Sequence, residues 1–286
     1  MILLTGATGA VGRLLADSLL GRGAAVRAVT RAPATAALPA GVRVVEGDAA
    51  LRPDLLGDAL AGVDAIFLHP RVAGDRAAEL LALARERGVR RVVALAAMNI
   101  DDPLDEQPSR AAGDRNRECE EVAVASGLEW TSLRPSSFAG NTARAWGGQL
   151  RAGDVVRYPF GAFQESLVDE RDIAEVAAHA LLGKLPSGRR LELTGPRSLS
   201  HRETVAVLGG VLGRELRFEE IPAGAAADAM IRAGMPAPFV QALMARYARH
   251  LDRPQHPATG VVQEILGRPA RGYDAWAADH ADAFGG

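Results

Sequence analysis

The sequence predicts an α/β fold in which a doubly wound parallel sheet is followed by a smaller C-terminal α+β lobe. Two observations predict it. Up to about residue 150, short apolar runs alternate with segments of helical periodicity, which is typical of βαβ units with right-handed crossovers. Beyond that point the rhythm changes, and the chain ends in a mostly helical tail that prolines interrupt. We therefore expect one domain over residues 1–150 and a smaller lobe, packed on it, over residues 151–286.

Each predicted strand of the first domain is a short apolar run next to a turn residue. The predicted strands are residues 2–5, 26–30, 42–46, 65–68, 91–96 and 130–133. Helical spacing of apolar residues predicts helices between them, at residues 11–20, 53–60, 77–87 and 118–126. In the second lobe we expect strands at residues 155–158, 190–193 and 216–219, helices at 172–182 and 203–212, and the helical tail at 223–284.

The composition limits the class of protein. Of the 286 residues, 48% are hydrophobic and 24% are charged, which is typical of a globular protein. A net charge of −2, with no long run of one sign, argues against nucleic acid as a partner. The single cysteine, Cys119, excludes an intramolecular disulfide, and the longest uncharged stretch, residues 233–245, is too short to span a membrane. The first residues lack the pattern of a signal peptide, so we expect a cytoplasmic protein.

The strongest motif is TGATGAVG at residues 5–12, between the first predicted strand and the first predicted helix. Its glycines, Gly6, Gly9 and Gly12, allow a tight turn and let the backbone approach a pyrophosphate. The N-terminus of the following helix offers free N–H groups to the phosphates. The second strand follows at the spacing that such a site needs. The sequence therefore predicts a dinucleotide site.

The end of the second strand indicates which dinucleotide is bound. NAD sites usually carry an acidic residue there, but this strand ends in Thr30 and Arg31. A guanidinium suits the dianionic 2′-phosphate of NADP, and Arg13 at the start of the first helix adds positive charge. The sequence therefore favours NADP(H) as the cofactor. In the alternative interpretation, Arg31 is a solvated loop residue of an arginine-rich protein.

Asp48 follows the third strand, on the side where open α/β sheets bind ligands. In one interpretation its carboxylate accepts a hydrogen bond from the adenine amino group, and Ala49 packs on the adenine ring. In the other, Asp48 only leads into the next turn. The sequence favours neither of these two interpretations of Asp48.

Several blocks in the same order resemble the NmrA-like group of atypical short-chain dehydrogenase/reductases, which includes quinone reductases and nucleotide-sensing regulators. The blocks are TGATGAVG, VTR, EGD and SGLEWTSLRPSSFAGN at residues 126–141. VDERDIAEVA at residues 168–177 and LTGPRSLS at residues 193–200 are similar to NAD(P)H-binding proteins of actinobacteria. The resemblance covers roughly residues 1–215. It implies a Rossmann-like domain, a small C-terminal substrate lobe and the use of NADPH.

The resemblance also implies which residues line the cofactor. The backbone of the glycine turn holds the pyrophosphate, the residues after the fourth and fifth strands lie beside the cofactor, and the LRPSSF segment approaches the nicotinamide. These positions are Gly6, Thr8, Gly9, Ala10, Val11 and Gly12 in the turn, Leu68, His69 and Pro70 after the fourth strand, Ala96, Ala97 and Met98 after the fifth, and Pro135, Ser136 and Phe138 in the segment.

The chain departs from the carbonyl-reducing enzymes of the family in its proton donor. Those enzymes use a tyrosine, a lysine after three intervening residues and a nearby serine or threonine. The only lysine here is Lys184, and Ala180 stands four positions before it, so the YxxxK pair is absent. Ala96 or Ala97 occupies the position of the serine. In many quinone-reductase-like relatives a histidine or lysine precedes a glutamate by four residues, and by that register Glu120 points back to Asn116.

Catalysis therefore has to proceed without a strong acid in the protein. Hydride delivery to a quinone-like compound, an enone or an aromatic carbonyl compound is compatible with this, because the negative charge spreads over a conjugated oxygen and solvent supplies the proton. Asn116, Asn99 or Ser136 could donate a hydrogen bond to that oxygen, and Asn116 is the first catalytic candidate. His69 is the second catalytic candidate, either as a proton donor or as a contact to the cofactor ribose, against a plain loop role before Pro70.

The sequence thus predicts an NADPH-dependent oxidoreductase acting on a small molecule. The alternative is a non-catalytic NADP(H)-sensing regulatory protein of the NmrA type. Epimerase chemistry is disfavoured because the YxxxK pair is missing. No two histidines have the spacing of metal ligands, so no metal site is expected. The sequence determines neither the identity of the substrate nor the oligomeric state.

Overall fold

A seven-stranded sheet organises the first part of the fold, in a computed structural model that describes residues 1–251 and 257–286. The strands are β1 (Ile2–Thr5), β2 (Val26–Thr30), β3 (Arg43–Glu46), β4 (Ala65–Leu68), β5 (Arg91–Leu95), β6 (Glu129–Pro135), β7 (Val155–Tyr158), β8 (Gln164–Glu165), β9 (Arg189–Leu193), β10 (Leu199–Ser200) and β11 (Arg217–Glu220). The order in the sheet is β3-β2-β1-β4-β5-β6-β9, and β1 pairs in parallel with both β2 and β4. This confirms the predicted Rossmann-like α/β fold.

Helices alternate with the strands. They are α1 (Ala10–Gly21), α2 (Pro70–Ala73), α3 (Ala77–Glu86), α4 (Pro108–Ala111), α5 (Asn116–Ala125), α6 (Gly140–Ala152), α7 (Glu170–Leu181), α8 (His201–Leu212), α9 (Ala223–Arg232), α10 (Ala237–Arg249), α11 (Val261–Leu266) and α12 (Tyr273–Asp279). In α1, Val11, Leu15 and Leu19 recur every four residues and are all buried. One face of α1 is therefore apolar along its whole length, and burying each leucine contributes roughly 1.5–3 kcal/mol.

The chain divides into two compact units and passes between them more than once. The first unit comprises Met1–Ile100, Gly113–Pro135 and Glu170–Glu192, and the second comprises Asp101–Ala112, Ser136–Asp169 and Leu193–Gly286. This division differs from the single boundary expected near residue 150. The helix expected at residues 172–182 is α7, which packs against α1 in the first unit. The strand expected at residues 190–193 is β9, which lies at the edge of the seven-stranded sheet.

The first unit has an aliphatic core between the sheet and its helices. Leu3, Ile66 and Val92, from three neighbouring strands, belong to one buried cluster with Leu80 of α3 and Ala123 of α5. Strands of a parallel sheet that helices cover read as continuous apolar runs, which is the pattern that the sequence shows at these strands.

The second unit contains two small strand pairs and the helical tail. β7 pairs in parallel with β11, and β8 pairs antiparallel with β10. Its core is aromatic, and Trp146, Tyr158, Phe163, Tyr247 and Trp276 are all buried in one cluster. Residues 252–256 of the tail that was expected to be helical lie outside the described residues, and the rest of the tail contains α9 to α12.

One predicted helix is shorter than expected. At residues 53–60 only a 3-10 turn forms, over Pro53–Leu56. Gly57 follows it directly, and a glycine inside a helix costs about 1 kcal/mol relative to alanine. Because the segment is also short, it does not extend into an α-helix. Among the residues that the structure describes, no helix has both the length and the apolar character needed to cross a membrane.

Candidate functional site

The glycine turn joins β1 to α1 at the carboxyl end of β1. Gly6 adopts a φ of +68°, a conformation that residues with a side chain rarely adopt. The N–H of Gly9 donates to the carbonyl oxygen of Gly6 at 3.0 Å, and Gly9 is the N-cap residue of α1. The turn therefore places the first turn of α1 directly beyond the end of β1.

Two of the three glycines are required by the fold itself. A Cβ on Gly6 would lie 2.6 Å from Cγ of His69, and a Cβ on Gly12 would lie 2.3 Å from the carbonyl oxygen of Gly6. Gly9 differs, because its φ is −78° and an added Cβ would lie 3.3 Å from the Gly6 oxygen, a contact that a small shift relieves. The fold does not require a glycine at this position, and turns of this kind use such a glycine to let pyrophosphate approach the backbone.

The N-terminus of α1 is open to an anion. In the described part of the chain no side chain caps it, and its first turn contains no acidic residue. The first N–H groups of a helix lack intrahelical acceptors and carry a partial positive charge. Thr8 and Ala10 are exposed here, whereas Val11 is buried. These residues fit the pyrophosphate of a dinucleotide.

β1 and β4 meet beside the glycine turn, at the point where the strand order of the sheet reverses. Thr5 joins the two strands, because its hydroxyl donates to the carbonyl of Phe67 at 2.9 Å and accepts from the N–H of His69 at 2.8 Å. Open α/β sheets bind ligands at this switch point. Thr5 opens the TGATGAVG motif, but nothing in the sequence indicated that its side chain joins β1 to β4.

His69 is the first residue after β4, and its ring lies against Gly6. Its Nδ1 accepts a hydrogen bond from the N–H of Arg71 at 3.2 Å and so caps the short helix α2. An Nδ1 that accepts places the proton of the neutral ring on Nε2. Burial lowers the pKa of His69 below its usual 6.5, against the opposing effect of the Asp114 carboxylate. His69 is therefore mostly neutral at pH 7 and offers one N–H donor.

Arg31 follows β2, and its side chain is exposed. Within the described residues its guanidinium makes no hydrogen bond or ion pair, so the whole group is available to a ligand. Arg13 is different, because its Nε donates to the carbonyl of Thr8 at 3.0 Å and its Nη1 donates to the carbonyl of Ala37 at 2.5 Å. Of the two arginines expected near the 2′-phosphate, Arg31 has the freer donors for a paired contact.

Asp48 organises the turn after β3. Its Oδ1 accepts from the N–H groups of Ala50 and Leu51, both at 3.0 Å. This is the turn role that the sequence left open, and within the described residues it occupies only one of the two carboxylate oxygens. The side chain of Ala49 is 1% exposed and belongs to the core of the first unit. Ala49 as a whole residue, backbone included, therefore exposes almost no surface to an adenine ring.

The remaining predicted cofactor contacts lie at or just after the ends of strands. Leu68 ends β4 and Ala96 follows β5, and both side chains are buried, whereas Ala97 is half-buried. Pro135 ends β6 in the first unit and is buried. Phe138 belongs to the second unit, where it is half-buried. As whole residues, backbone included, Leu68 is 0% exposed and Ala96 is 4% exposed.

Asn116 is the first residue of α5 and is 7% exposed. One turn later, the buried carboxylate of Glu120 accepts hydrogen bonds from Ser132 at 2.6 Å, Arg134 at 2.7 Å and Arg190 at 2.6 Å. Burial opposes the ionisation of Glu120, but the hydrogen bonds from Arg134, Ser132 and Arg190 outweigh it and lower the pKa of Glu120 to about 2. In the sequence, Glu120 served only as the reference position for Asn116, and nothing there indicated this ion cluster.

The three tyrosines lie in the second unit and are buried. The hydroxyl oxygens of Tyr158 and Tyr247 are 3.3 Å apart, and Tyr273 donates to Thr142 at 2.9 Å. Burial raises the pKa of Tyr158 to about 12 and also raises the pKa values of Tyr247 and Tyr273. All three phenols are therefore neutral residues of the aromatic core.

The chain is similar in sequence to known proteins. The chain is 40% identical over 288 residues to (4-alkanoyl-5-oxo-2,5-dihydrofuran-3-yl)methyl phosphate reductase from Streptomyces griseus, and the match covers 99% of each chain. It is 33% identical over 295 residues to NAD(P)H azoreductase from Xenophilus azovorans, covering 100% of this chain and 99% of the relative.

Solved structures share the fold. The NADPH-dependent quinone oxidoreductase from Escherichia coli in complex with NADPH matches 99% of this chain and 100% of its own, with a TM-score of 0.82 and 23% identity. Triphenylmethane reductase from Citrobacter sp. in complex with NADP(H) matches 98% of this chain and 100% of its own, with a TM-score of 0.81 and 20% identity.

The family model described as NAD(P)H-binding matches residues 6–183. This range begins in the glycine turn, includes Arg31, His69 and Asn116, and covers more than half of the chain. The relatives above match over the whole length, which confirms the resemblance to NmrA-like atypical short-chain dehydrogenase/reductases. The chain belongs to the NAD(P)H-binding family.

Proposed function

We propose that this protein is an NADPH-dependent reductase that delivers hydride to a small conjugated acceptor, such as a quinone-like compound, an enone or an aromatic carbonyl compound. One observation carries the proposal. Two relatives that match the whole chain, at 40% and 33% identity, are both named as reductases, one of an alkanoyl dihydrofuranone phosphate and one of azo compounds. Both names describe acceptors with a polarised or conjugated double bond.

The cofactor side of the proposal is supported by residues of the first unit. The glycine turn and the open N-terminus of α1 would hold the pyrophosphate. Arg31, with no protein partner among the described residues, would pair with the 2′-phosphate. Residues 26–45 contain no Asp or Glu, so the acidic residue that binds the ribose 2′-hydroxyl of NAD is missing. These features favour NADPH over NADH.

NADPH supplies a hydride when it is bound. His69, whose ring lies against the glycine turn, supplies no strong acid because it is mostly neutral at pH 7, and the three tyrosines are buried, neutral phenols. His69 would act as a hydrogen-bond donor through Nε2, and Asn116 would stabilise developing negative charge on the acceptor oxygen. A conjugated acceptor tolerates this arrangement, because its oxygen carries only part of the charge and solvent can protonate it.

The test is NADPH oxidation against four acceptor classes: quinones, enones, azo dyes and isolated ketones, each with NADH as the matched donor. We expect turnover with conjugated acceptors and little or none with isolated ketones, with NADPH preferred. Rapid reduction of isolated ketones would overturn the assignment of a reductase without a built-in acid. Tight NADPH binding with no oxidation by any acceptor in a broad panel would instead identify the NADP(H)-sensing regulator.

A further inference from the structure

Arg13 connects two loops that the sequence places far apart. It lies in the first turn of α1, and its guanidinium donates to the carbonyl of Thr8 in the glycine turn and to the carbonyl of Ala37 in the loop after β2. The N–H of Arg13 donates to the carbonyl of Gly9 at 3.1 Å, so its backbone is fixed by the same turn. One side chain therefore links the glycine turn to the loop that begins at Arg31.

That loop has few other connections to the protein. Its hydrogen bonds at Thr35 and Ala36 run to the carbonyls of Ala32 and Pro33, within the loop itself. In the part of the chain that the structure describes, Arg13 provides the only hydrogen bond that joins residues 33–38 to another element. Ala37 also adopts a φ of +43°, which is unusual for a residue with a side chain. The bond from Arg13 thus holds the loop at the residue where its backbone is strained.

The conformation of this loop determines where Arg31 lies. Arg31 stands between the end of β2 and the 3-10 turn over Pro33–Thr35, and its own side chain has no partner in the described chain. Its guanidinium is therefore directed by the backbone on either side of it. The bond from Arg13 fixes Ala37 relative to Thr8, and this restricts the backbone on the C-terminal side of Arg31.

We propose that Arg13 is a positioning residue for the 2′-phosphate site: it holds the loop after Arg31 against the glycine turn and thereby sets the preference for NADPH over NADH. This inference rests on the proposed function. Arg13 acts through Arg31 in this scheme, since two of its donors are already used by Thr8 and Ala37.

The test compares Arg13→Met, Arg13→Lys and a control, Arg22→Met, by calorimetric titration with NADPH and with NADH. Met keeps the apolar stem of Arg13 but has no donor, and Lys offers one point charge in place of a fork. Arg22 is the C-cap residue of α1, and in the described chain its side chain bonds only to Ser18 of the same helix. We expect Arg13→Met to weaken NADPH binding by about tenfold and NADH binding far less, the scale for losing a charged hydrogen bond. Arg13→Lys should recover part of the loss, and Arg22→Met should change neither affinity.

A double variant shows whether Arg13 acts through Arg31. In an Arg31→Ala background, Arg13→Met should leave the NADPH to NADH affinity ratio almost unchanged, because the group that Arg13 positions is gone. An equal loss of NADPH and NADH affinity in Arg13→Met would show a general role in folding the turn and overturn the inference. An additive effect with Arg31→Ala would overturn it as well.

The proposed function and this inference fail in different ways. If the wild-type protein binds neither dinucleotide, both are overturned. If it binds NADPH in preference to NADH but Arg13→Met keeps the wild-type ratio, only the role of Arg13 is overturned. Circular dichroism and urea denaturation of each variant confirm that the comparison is between folded proteins, and Arg13→Lys serves in place of Arg13→Met if the latter does not fold.

Discussion

The three glycines of the turn differ in whether the fold itself requires a glycine at that position. Gly6 needs its positive φ, and Gly12 has backbone atoms within 3 Å of any added Cβ. Gly9 has neither constraint, which makes it the position at which a substitution tests binding and leaves the fold intact.

Gly9→Val should abolish dinucleotide binding in a protein that remains folded. A branched Cβ would fill the space that the pyrophosphate approaches, whereas its cost to the helix N-cap is only about 1 kcal/mol. Fluorescence titration with NADPH measures the loss, and circular dichroism and urea denaturation measure the fold. Gly12→Ala is the matched control, and it should destabilise the protein by about 1–3 kcal/mol, since its Cβ would meet the Gly6 carbonyl. Retained NADPH affinity in Gly9→Val would show that the turn has a structural role only.

The pH dependence of turnover reports the role of His69. Burial lowers its pKa below 6.5, so its charged form is lost as the pH rises through that lower value. If His69 only donates a hydrogen bond from Nε2, the rate should stay flat between about pH 7 and 8.5, where the ring is neutral. A rate that falls as the pH rises from 5.5 to 7, and that becomes flat in His69→Gln, would instead identify His69 as the proton donor.

A substitution at Asn116 tests whether catalysis proceeds without a dedicated acid in the protein. Asn116→Ala should lower kcat by on the order of 10²-fold or less, the scale for losing one donor to a developing oxyanion. KM for NADPH should change little, and NADPH deuterated at the transferred position should show a primary isotope effect if hydride transfer limits the rate. A complete loss of activity in a folded variant would mean that Asn116 does more than donate one hydrogen bond.

At the scale of elements, the local sequence predicts the strands that border the site. It does not predict how segments that are distant in the sequence pair. The bounds of β1, β2 and β4 follow from short apolar runs that end at turn residues. β9 was assigned to the wrong part of the fold, because the partner of an edge strand depends on long-range pairing. The glycine turn and Arg31 were visible in the sequence, whereas the bridge through Thr5 and the two contacts of Arg13 depend on where strands and loops meet in space.

The ion cluster around Glu120 joins α5, β6 and β9 and was invisible for the same reason. Arg134 is 14% exposed and Arg190 is 48% exposed, so the two arginines differ in how much solvent screens them. Arg134→Met should destabilise the protein by about 3–5 kcal/mol, because it leaves a buried carboxylate short of a partner. Arg190→Met should cost about 1 kcal/mol or less. Urea denaturation at pH 7 gives both values, and equal costs would contradict the ranking.

The ion cluster around Glu120 also predicts how the stability of the folded protein changes as the pH falls. The pKa of Glu120 is lowered from 4.5 to about 2 in the folded protein, so its contribution is present above pH 4.5 and is lost as the pH falls toward 2. In Arg134→Met the pKa of Glu120 should rise, which would make the difference from wild type smaller at pH 4 than at pH 7.

At the scale of the whole molecule, the chemistry is distributed unevenly between two units that each have their own core. The first unit holds the glycine turn, Arg31 and His69, and the second holds all three tyrosines in an aromatic cluster. The chain reaches this division by passing between the units several times, which explains why composition along the sequence shows only a change of rhythm near residue 150.

Thermal unfolding tests the cofactor assignment of the intact protein without any assumption about its substrate. A ligand that binds only the folded state at 100 times its dissociation constant stabilises that state by about 2.7 kcal/mol. For a chain of this size that corresponds to a rise in Tm of about 5 °C, and NADPH should give a larger rise than NADH at equal concentration. Arg31→Asp should reverse the order, because a carboxylate repels the 2′-phosphate of NADPH and accepts a hydrogen bond from the ribose 2′-hydroxyl of NADH. Gly9→Val, which keeps Arg31 and is expected to stay folded, should show no rise with either dinucleotide. The same order of Tm shifts in wild type and Arg31→Asp would contradict the assignment of Arg31 to the 2′-phosphate, even if both proteins bind NADPH.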